Sequence, residues 1–281
     1  KDAVQVKNLL TGDSLANFLA TMVKNFTGNL HATKEYSEEE IHERVQGLIY
    51  RQIAWLYGLR YQLLIPTEWE HISQKWKKRY ISRRMEQFGA GQFKDEMTRK
   101  EFDQLLSQEE IEHIINFKNR PTQLLDNQSK ELKKLREDGL IDDFRHMELQ
   151  NLITEFYALQ GKCERIKKFP LPRQYANASF VFVAIFIILL PFGLVSAFHE
   201  GIELHEEHYR LWLAIPFSII IGWIYLVMEL IGDYSENPFE GLSNDVPMLS
   251  MCRTIEIDLR EMLGETDIPE PIQPTKDGVL M

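Results

Sequence analysis

The chain has 281 residues, 44% hydrophobic and 26% charged, which is long enough for two domains or for one domain with a membrane part. This composition excludes a disordered or collagen-like chain. With 32 Lys and Arg against 42 Asp and Glu, the net charge of -10 argues against a general nucleic-acid binder, which needs a basic face for the phosphate backbone. Cys163 and Cys252 are too few for a disulfide framework or a four-cysteine zinc site, and both are expected to be reduced and buried.

Helix signals begin near residue 37. Ser37 and Glu40 form a capping box, in which the serine caps the helix and the glutamate reaches back to it. The apolar residues that follow recur at spacings of three and four, as on the buried face of a helix: Ile41, Val45, Leu48, Ile49, Ile53 and Leu56. Ser107 and Glu110 repeat the signal before a second apolar group, Ile111, Ile114, Ile115 and Phe117.

Two further helices are predicted before residue 170. Pro121 opens a segment that ends at Gly139, where glycine suits a helix C-terminus, and a long helix follows from about 141 to 168. No segment alternates apolar and polar residues between turn signals, as a strand does. The predicted fold class is therefore all-α, with residues 1–173 as a large helical domain.

Two long apolar runs follow this domain. From Gln174 to Phe198 there are 25 consecutive residues without Asp, Glu, Lys, Arg or His. About 20 apolar residues cross a hydrocarbon core of about 30 Å, so this run predicts a membrane-spanning helix. A second run begins at Leu211 and reaches Gly232 if Glu229 is accepted near its end. The predicted transmembrane hairpin covers 174–232, with spans at about 176–198 and 211–232 and an outer loop at 199–210.

The basic residues predict the orientation of this hairpin. The loop between the spans has four glutamates and, as its firm cation, only Arg210. Lys and Arg stay on the cytoplasmic side, and five of them lie just before the first span: Lys162, Arg165, Lys167, Lys168 and Arg173. We therefore expect a multi-pass protein of the cell (inner) membrane whose helical domain and both chain ends are cytoplasmic.

The outer loop also holds potential metal ligands. Its histidines are His199, His205 and His208, beside glutamates at 200, 203, 206 and 207. Metal binding is the weaker interpretation, because no His-Glu-x-x-His pattern or closed tetrahedral set is present. A solvated anionic turn that attracts cations to the membrane face is favoured.

Two residues within the spans have both a structural and a functional interpretation. Pro191 removes a backbone hydrogen bond from the first span, and the resulting kink is either structural or shapes a cavity or pore. Glu229 either reaches the interface or faces a polar pathway. The residues alone leave both alternatives open.

The segment after the second span is rich in oxygen ligands. A membrane-edge turn and a cytosolic helix are predicted over 233–263, and the proline-rich residues 264–281 form a tail that lies on another surface or is disordered. Carboxylates and Asn amides between Asp233 and Asp245 are the ligands that calcium prefers. The competing interpretation is a rigid turn whose Asn and Asp residues cap the next helix.

Several motifs in this order and spacing resemble the bestrophin family, in particular its bacterial branch. The resemblance covers about residues 17–270, and the helix around 49–63 takes part in it. Its main motifs are Phe169-Pro-Leu-Pro-Arg-Gln-Tyr175, Leu190-Pro-Phe192, Glu236-Asn-Pro-Phe239, Asn244-Asp245-Val-Pro247 and Cys252-x-x-Ile255-Glu256. Upstream, Asn119-Arg-Pro, Leu135-Arg-Glu-Asp-Gly139 and Gly161-Lys-Cys163-Glu-Arg165 extend it.

The resemblance implies an ion channel. Bestrophins are homopentamers around one pore, with a hydrophobic neck in the membrane and a second constriction at the cytosolic end. Animal members are calcium-activated anion channels, whereas bacterial members can favour cations, so a slight preference for cations over chloride is expected. The implied partners are other copies of the chain, the lipid bilayer and small inorganic ions, without nucleic acid. No catalytic residue is implied, and the protein is not expected to be an enzyme.

The resemblance also assigns site residues. The family's cytosolic aperture falls at Phe144, for which ordinary helix packing is the alternative, and Pro191, Phe192 and Glu229 are the other candidate pore residues. The family's calcium clasp falls on four positions: Asp233, Asn237, Asn244 and Asp245. The run of consecutive acids found there in animal members is interrupted in this chain, which predicts weaker calcium affinity. No cofactor is expected to be required, and calcium is the one candidate.

The resemblance does not reach the N-terminus. The first membrane helix and the neck helix of bestrophins have no counterpart in this sequence, and we expect the chain to be a fragment of a longer protein. Two alternatives to a channel stay open: a membrane-anchored helical scaffold or interaction protein without conductance, and a membrane enzyme that uses a metal in the outer loop.

Overall fold

A computed structural model of the chain describes residues 13–29, 35–67, 102–168, 173–199, 212–235, 237–239 and 245–274. No residue in these ranges forms a strand, which confirms the all-α prediction. The helices with both ends in these ranges are α1 (Asp13–Phe26), α2 (Glu38–Leu64), α3 (Gln108–Ile115), α4 (Arg120–Glu137), α5 (Asp143–Lys168), α6 (Arg173–His199), α7 (Ala214–Tyr234) and α8 (Met248–Leu263).

The chain divides into two compact units. The helical unit comprises Lys1–Lys168 together with Pro238–Met281, and the hairpin unit comprises Phe169–Asn237. The helix α8 therefore packs with the helices that precede the hairpin, against α1 and α2, although it follows the hairpin in sequence.

Helix α2 is the central helix of the helical unit. It begins where the sequence predicts, because the Oγ of Ser37 accepts the N–H of Glu40 at 3.1 Å and the Glu40 carboxylate accepts the N–H of Ser37 at 2.9 Å. The predicted face is buried at Val45, Leu48, Ile49, Ile53 and Leu56. Residues 52–60 are buried without a break, so this stretch of α2 is surrounded by other elements on every side.

The second predicted capping box forms only in part. The N–H of Glu110 bonds the Oγ of Ser107, but the Glu110 carboxylate instead accepts two hydrogen bonds from Arg51, at 2.7 and 3.0 Å, and one from Asn127. Burial disfavours the ionised form of Glu110, yet the hydrogen bonds and charge of Arg51 outweigh it and lower the pKa of this carboxyl. This ion pair ties α3 to α2.

The prediction that α3 buries all of its apolar residues is wrong in part. Ile111 and Ile114 are buried, whereas Ile115 is 44% exposed and Phe117 is 40% exposed. Helix α3 packs mainly against α4, and this contact covers Ile111 and Ile114 but leaves Ile115 and Phe117 largely uncovered.

Glycine and aspartate define the junction between α4 and α5. Gly139 has a φ of 73°, and the N–H groups of Gly139 and Leu140 bond the carbonyls of Arg136 and Leu135 at 3.0 and 2.9 Å. This is the glycine-terminated helix end that the sequence predicts. Helix α5 begins at Asp143 rather than at 141, because the Asp142 carboxylate accepts the N–H of Arg145 at 2.8 Å and so caps the helix.

The segment after α8 lies along the helical unit as far as it is described. Residues 265–274 have no regular secondary structure. The Glu265 carboxylate accepts the hydroxyl of Tyr50 at 2.6 Å and the side-chain amide of Gln46 at 3.2 Å, and Ile272 packs against the core. The first part of the predicted tail is thus held on α2.

A buried carboxylate joins α8 to α2. Glu256 is 4% exposed, and its oxygens accept the hydroxyl of Tyr57 at 2.6 Å and contact Arg260 at 2.9 Å and Arg253 at 3.2 Å. Burial, with the Glu256 charge, raises the pKa of Tyr57, so this phenol stays a hydrogen-bond donor.

We predict that Glu256→Gln destabilises the protein by about 2–4 kcal/mol, because it removes the carboxylate that two largely buried arginines share and leaves Arg260 with only the longer contact to Glu265 at 3.5 Å. The measurement is the free energy of unfolding of the detergent-solubilised protein. Glu261→Gln is the matched control on the exposed face of α8, with an expected change within about 0.5 kcal/mol. Equal effects of the two substitutions would contradict the assignment of Glu256 as a buried link between α8 and α2.

The two cysteines are also buried, as the sequence predicts, and neither is in a disulfide. Burial raises the pKa of the Cys163 thiol to about 11. Because the thiolate is the reactive form, iodoacetamide at pH 8 should label neither cysteine in the folded protein and both after unfolding, as measured by intact mass. Fast labelling of the folded protein would disprove this burial.

Candidate functional site

The hairpin unit contains two helices that are long and apolar enough to cross a membrane. The apolar stretches are Ala178–Phe198 in α6 and Ala214–Gly232 in α7, close to the predicted spans. None of the first stretch and 11% of the second is buried within the chain. Apolar surface of this extent needs lipid or other protein to cover it, which suits a membrane-spanning hairpin.

The two helices meet along a seam with four levels of contact. The rings of Phe198 and Phe217 lie 5.6 Å apart, and those of Phe186 and Tyr225 lie 4.6 Å apart. Gly222 lies on the seam beside Ile187, and a Cβ on it would lie 3.6 Å from a methyl group of Ile187, which is an ordinary van der Waals distance. Small residues permit this kind of packing where lipid removes the hydrophobic drive between helices.

The fourth level of the seam is polar. Glu229 is the only acidic or basic side chain in the two apolar stretches. The Ser179 hydroxyl donates a hydrogen bond to its Oε2 at 2.8 Å, so the half-buried carboxylate faces α6. A carboxylate in an apolar setting needs such a partner. Whether Glu229 also borders an ion pathway stays a prediction.

The other two candidate residues in the spans are not covered by the chain itself. Helix α6 continues through Pro191 to His199, and both Pro191 and Phe192 are exposed. These side chains are therefore available to lipid or to another copy of the chain, and their pore role stays a prediction.

Phe144 projects from the first turn of α5. It is 81% exposed, and Met147 on the next turn is 61% exposed. The start of the helix is nevertheless fixed, because Arg145 donates to the carbonyl of Phe26 at 3.0 Å and Asp143 pairs with Arg136. The structure thus does not support ordinary packing within the chain for Phe144. Its aperture role remains a prediction.

The candidate calcium positions are only partly described. Asp233 lies in α7, but its side chain and all of Asn244 lie outside the described residues. Asn237 is buried, Asp245 is half-buried, and the carbonyl of Pro238 accepts the N–H of Val246 at 3.3 Å. Within the described ranges no group of three or more His, Cys, Asp or Glu side chains could hold a metal ion. The calcium role is not tested by this geometry.

The histidine and glutamate ligands of the outer loop also lie outside the described part of the chain. Only the backbone of His199, at the end of α6, is described.

A buried polar network that the sequence does not reveal holds α5 in place. The side-chain carbonyl of Gln160 accepts the indole N–H of Trp55 at 3.0 Å. Its amide nitrogen, with two hydrogens to donate, lies within hydrogen-bond distance of three acceptors: Thr122 at 2.9 Å, Glu164 at 2.8 Å and Asn119 at 3.1 Å. Asn119 also caps α4 through the N–H of Thr122. The Asn119-Arg-Pro motif signals the cap, but no local pattern signals its link to Gln160.

The model of the family described as bacterial/fungal bestrophin protein matches residues 12–261. The chain therefore belongs to the bestrophin family, as its motifs indicate.

Curated relatives include the voltage-dependent anion channel-forming protein YneE of Escherichia coli (strain K12), which is 28% identical over 172 residues, 61% of this chain and 52% of that protein. A protein of the same description from Mesorhizobium japonicum is 26% identical over 156 residues, 56% of this chain and 47% of that protein. The chain spans about half the length of the curated relatives it matches.

The fold is similar to that of solved bestrophin structures. A crystal structure of a bacterial bestrophin homolog from Klebsiella pneumoniae matches with a TM-score of 0.67 and 22% sequence identity, covering 93% of this chain and 78% of that one. A structure of a variant of the same homolog gives a TM-score of 0.69 with the same coverage. The bestrophin-like fold predicted from the motifs is thereby confirmed.

The hydrogen bond across the seam predicts that loss of the Ser179 hydroxyl destabilises the hairpin. Ser179→Ala should lower the free energy of unfolding in detergent by about 0.5–1.5 kcal/mol, the usual range for a hydrogen bond between membrane helices. A double-mutant cycle with Glu229→Ala should show that the two losses are not additive.

Ser218→Ala is the matched control for this cycle. The Ser218 hydroxyl bonds the carbonyl of Ala214 in its own helix, so its removal should not couple to Glu229. Additive effects of Ser179→Ala and Glu229→Ala would show that the bond across the seam contributes nothing.

Proposed function

We propose that the full-length protein is a homopentameric ion channel that passes small monovalent ions passively across the cell membrane. The helical unit and both ends of this chain lie on the cytoplasmic side. The observation that carries the proposal is the family match over residues 12–261, which includes both the helical unit and the hairpin unit. The curated relatives are named for forming channels.

The apolar side chains that a single copy of the chain leaves exposed support this proposal. Apolar side chains of α6 and α7 face outward, and so does Phe144 at the start of α5. Five copies around an axis would bring the Phe144 side chains into one apolar ring, which obstructs hydrated ions. The basic residues before α6 support the orientation.

We further propose that the channel is modestly more permeable to cations than to anions. It differs from the names of the curated relatives, which describe anion channels. Its support within the spans is Glu229, the acidic side chain on the seam, because selectivity depends on the few charged groups near the ion. No calcium is required in this proposal, since the acidic run of the animal clasp is interrupted at Leu242 and Ser243.

The test is the reversal potential of the full-length protein in a planar bilayer under a KCl gradient, with and without calcium. We expect a potential nearer to the potassium than to the chloride equilibrium value, and no requirement for calcium. A value nearer to chloride would overturn the cation preference. An absence of current would overturn the channel and favour a membrane-anchored scaffold.

A second prediction concerns the aperture. Phe144→Ala should raise single-channel conductance by roughly a factor of two or more, because it removes an apolar ring that ions cross only after losing water. Phe117→Ala, also a partly exposed phenylalanine of the helical unit, is the control and should leave conductance unchanged. An unaltered current in Phe144→Ala would reject the aperture role.

A further inference from the structure

Helix α5 has one exposed face that begins at Phe144 and extends to Lys162. Its opposite face is buried, including Leu149, Ile153, Phe156 and Cys163. At about 100° per residue, five exposed residues lie within about 40° of the direction of Phe144. They are Glu148, Asn151, Glu155, Ala158 and Lys162.

This face carries charge close to Phe144. At about 1.5 Å per residue, Glu148 lies about 6 Å and Glu155 about 17 Å from Phe144 along the helix axis. Within the part of the chain that the structure describes, neither carboxylate has a hydrogen bond or an ion pair. The acids that precede Phe144 are engaged, since Asp142 pairs with Arg145 and Asp143 with Arg136.

We infer that Glu148, with Glu155 behind it, forms acidic rings that set the preference for cations at the cytosolic constriction. The inference rests on the proposed channel, in which the exposed face of α5 borders the passage beside the Phe144 ring. Five carboxylates around a narrow passage raise the local concentration of cations and lower that of anions. Glu148 acts most strongly, because it is within one Debye length of about 8 Å from Phe144.

Lys162 lies on the same face but does not cancel this effect. It is about 27 Å from Phe144 along the axis, more than three Debye lengths at physiological salt, so its charge is screened from the constriction. Asn151 lies between the two acidic positions, and the neutral Ala158 lies between Glu155 and Lys162. The acidic residues of this face are therefore the ones nearest to the constriction at Phe144.

The test compares the K⁺/Cl⁻ permeability ratio of full-length variants in planar bilayers under a KCl gradient. Glu148→Gln should lower the ratio several-fold, Glu155→Gln less, and the double substitution most. Glu148→Asp keeps the charge and should retain most of the wild-type ratio. At about 1 M salt, where the Debye length is about 3 Å, the difference between Glu148→Gln and wild type should largely vanish. A purely structural role would not depend on salt in this way.

Glu109→Gln is the matched control. Glu109 is exposed on α3, which packs against α4, so the substitution makes the same charge change away from α5. It should leave the ratio unchanged, and size-exclusion chromatography checks that every variant assembles. A conducting wild type whose ratio is unaffected by Glu148→Gln and Glu155→Gln would overturn the inference and leave the channel standing. A wild type without current would instead overturn the proposed function.

Discussion

Two aromatic side chains in the buried middle of α2 fix the rest of the helical unit. The indole of Trp55 donates to Gln160 of α5, and the hydroxyl of Tyr57 donates to Glu256 of α8. A buried donor or acceptor without a partner costs about 1–3 kcal/mol, so each bond specifies one register of one partner helix. Because α5 is set in this way, the direction in which Phe144 projects is decided some 16 residues away from it.

The two units place their polar groups differently. The helical unit buries Gln160 and Glu256 among complementary partners, which gives a core with a specific geometry. The two apolar stretches of the hairpin unit are apolar on their outside, and their described contacts include a polar one, the bond between Ser179 and Glu229. The outer surface of this unit is complete only with lipid or neighbouring copies, so the conformation of the hairpin depends on its surroundings more than that of the helical unit does.

Sequence reasoning succeeds where the cause is local. The capping box at Ser37, the left-handed Gly139 and the two apolar stretches each follow from a few neighbouring residues, and the family motifs supply the fold. It does not show that Glu110 leaves its cap for Arg51, nor that Glu256 meets Tyr57, 199 positions away. Packing between helices determines such partners, and it produces no periodic pattern in the sequence. The exposure of Phe144 likewise depends on how α5 packs against the other helices, and no local sequence pattern shows it.

The return of α8 to the helical unit has a consequence for synthesis. Helices α1 and α2 pack against α8, yet after Lys168 another 95 residues, including both apolar stretches, must be made before α8 ends at Leu263. At about 5–20 residues per second, the ribosome needs roughly 5–20 s to make them. During that interval the apolar surface that Leu259 and Ile255 later cover is exposed. Both apolar stretches are therefore synthesised before the core of the helical unit can close around α8.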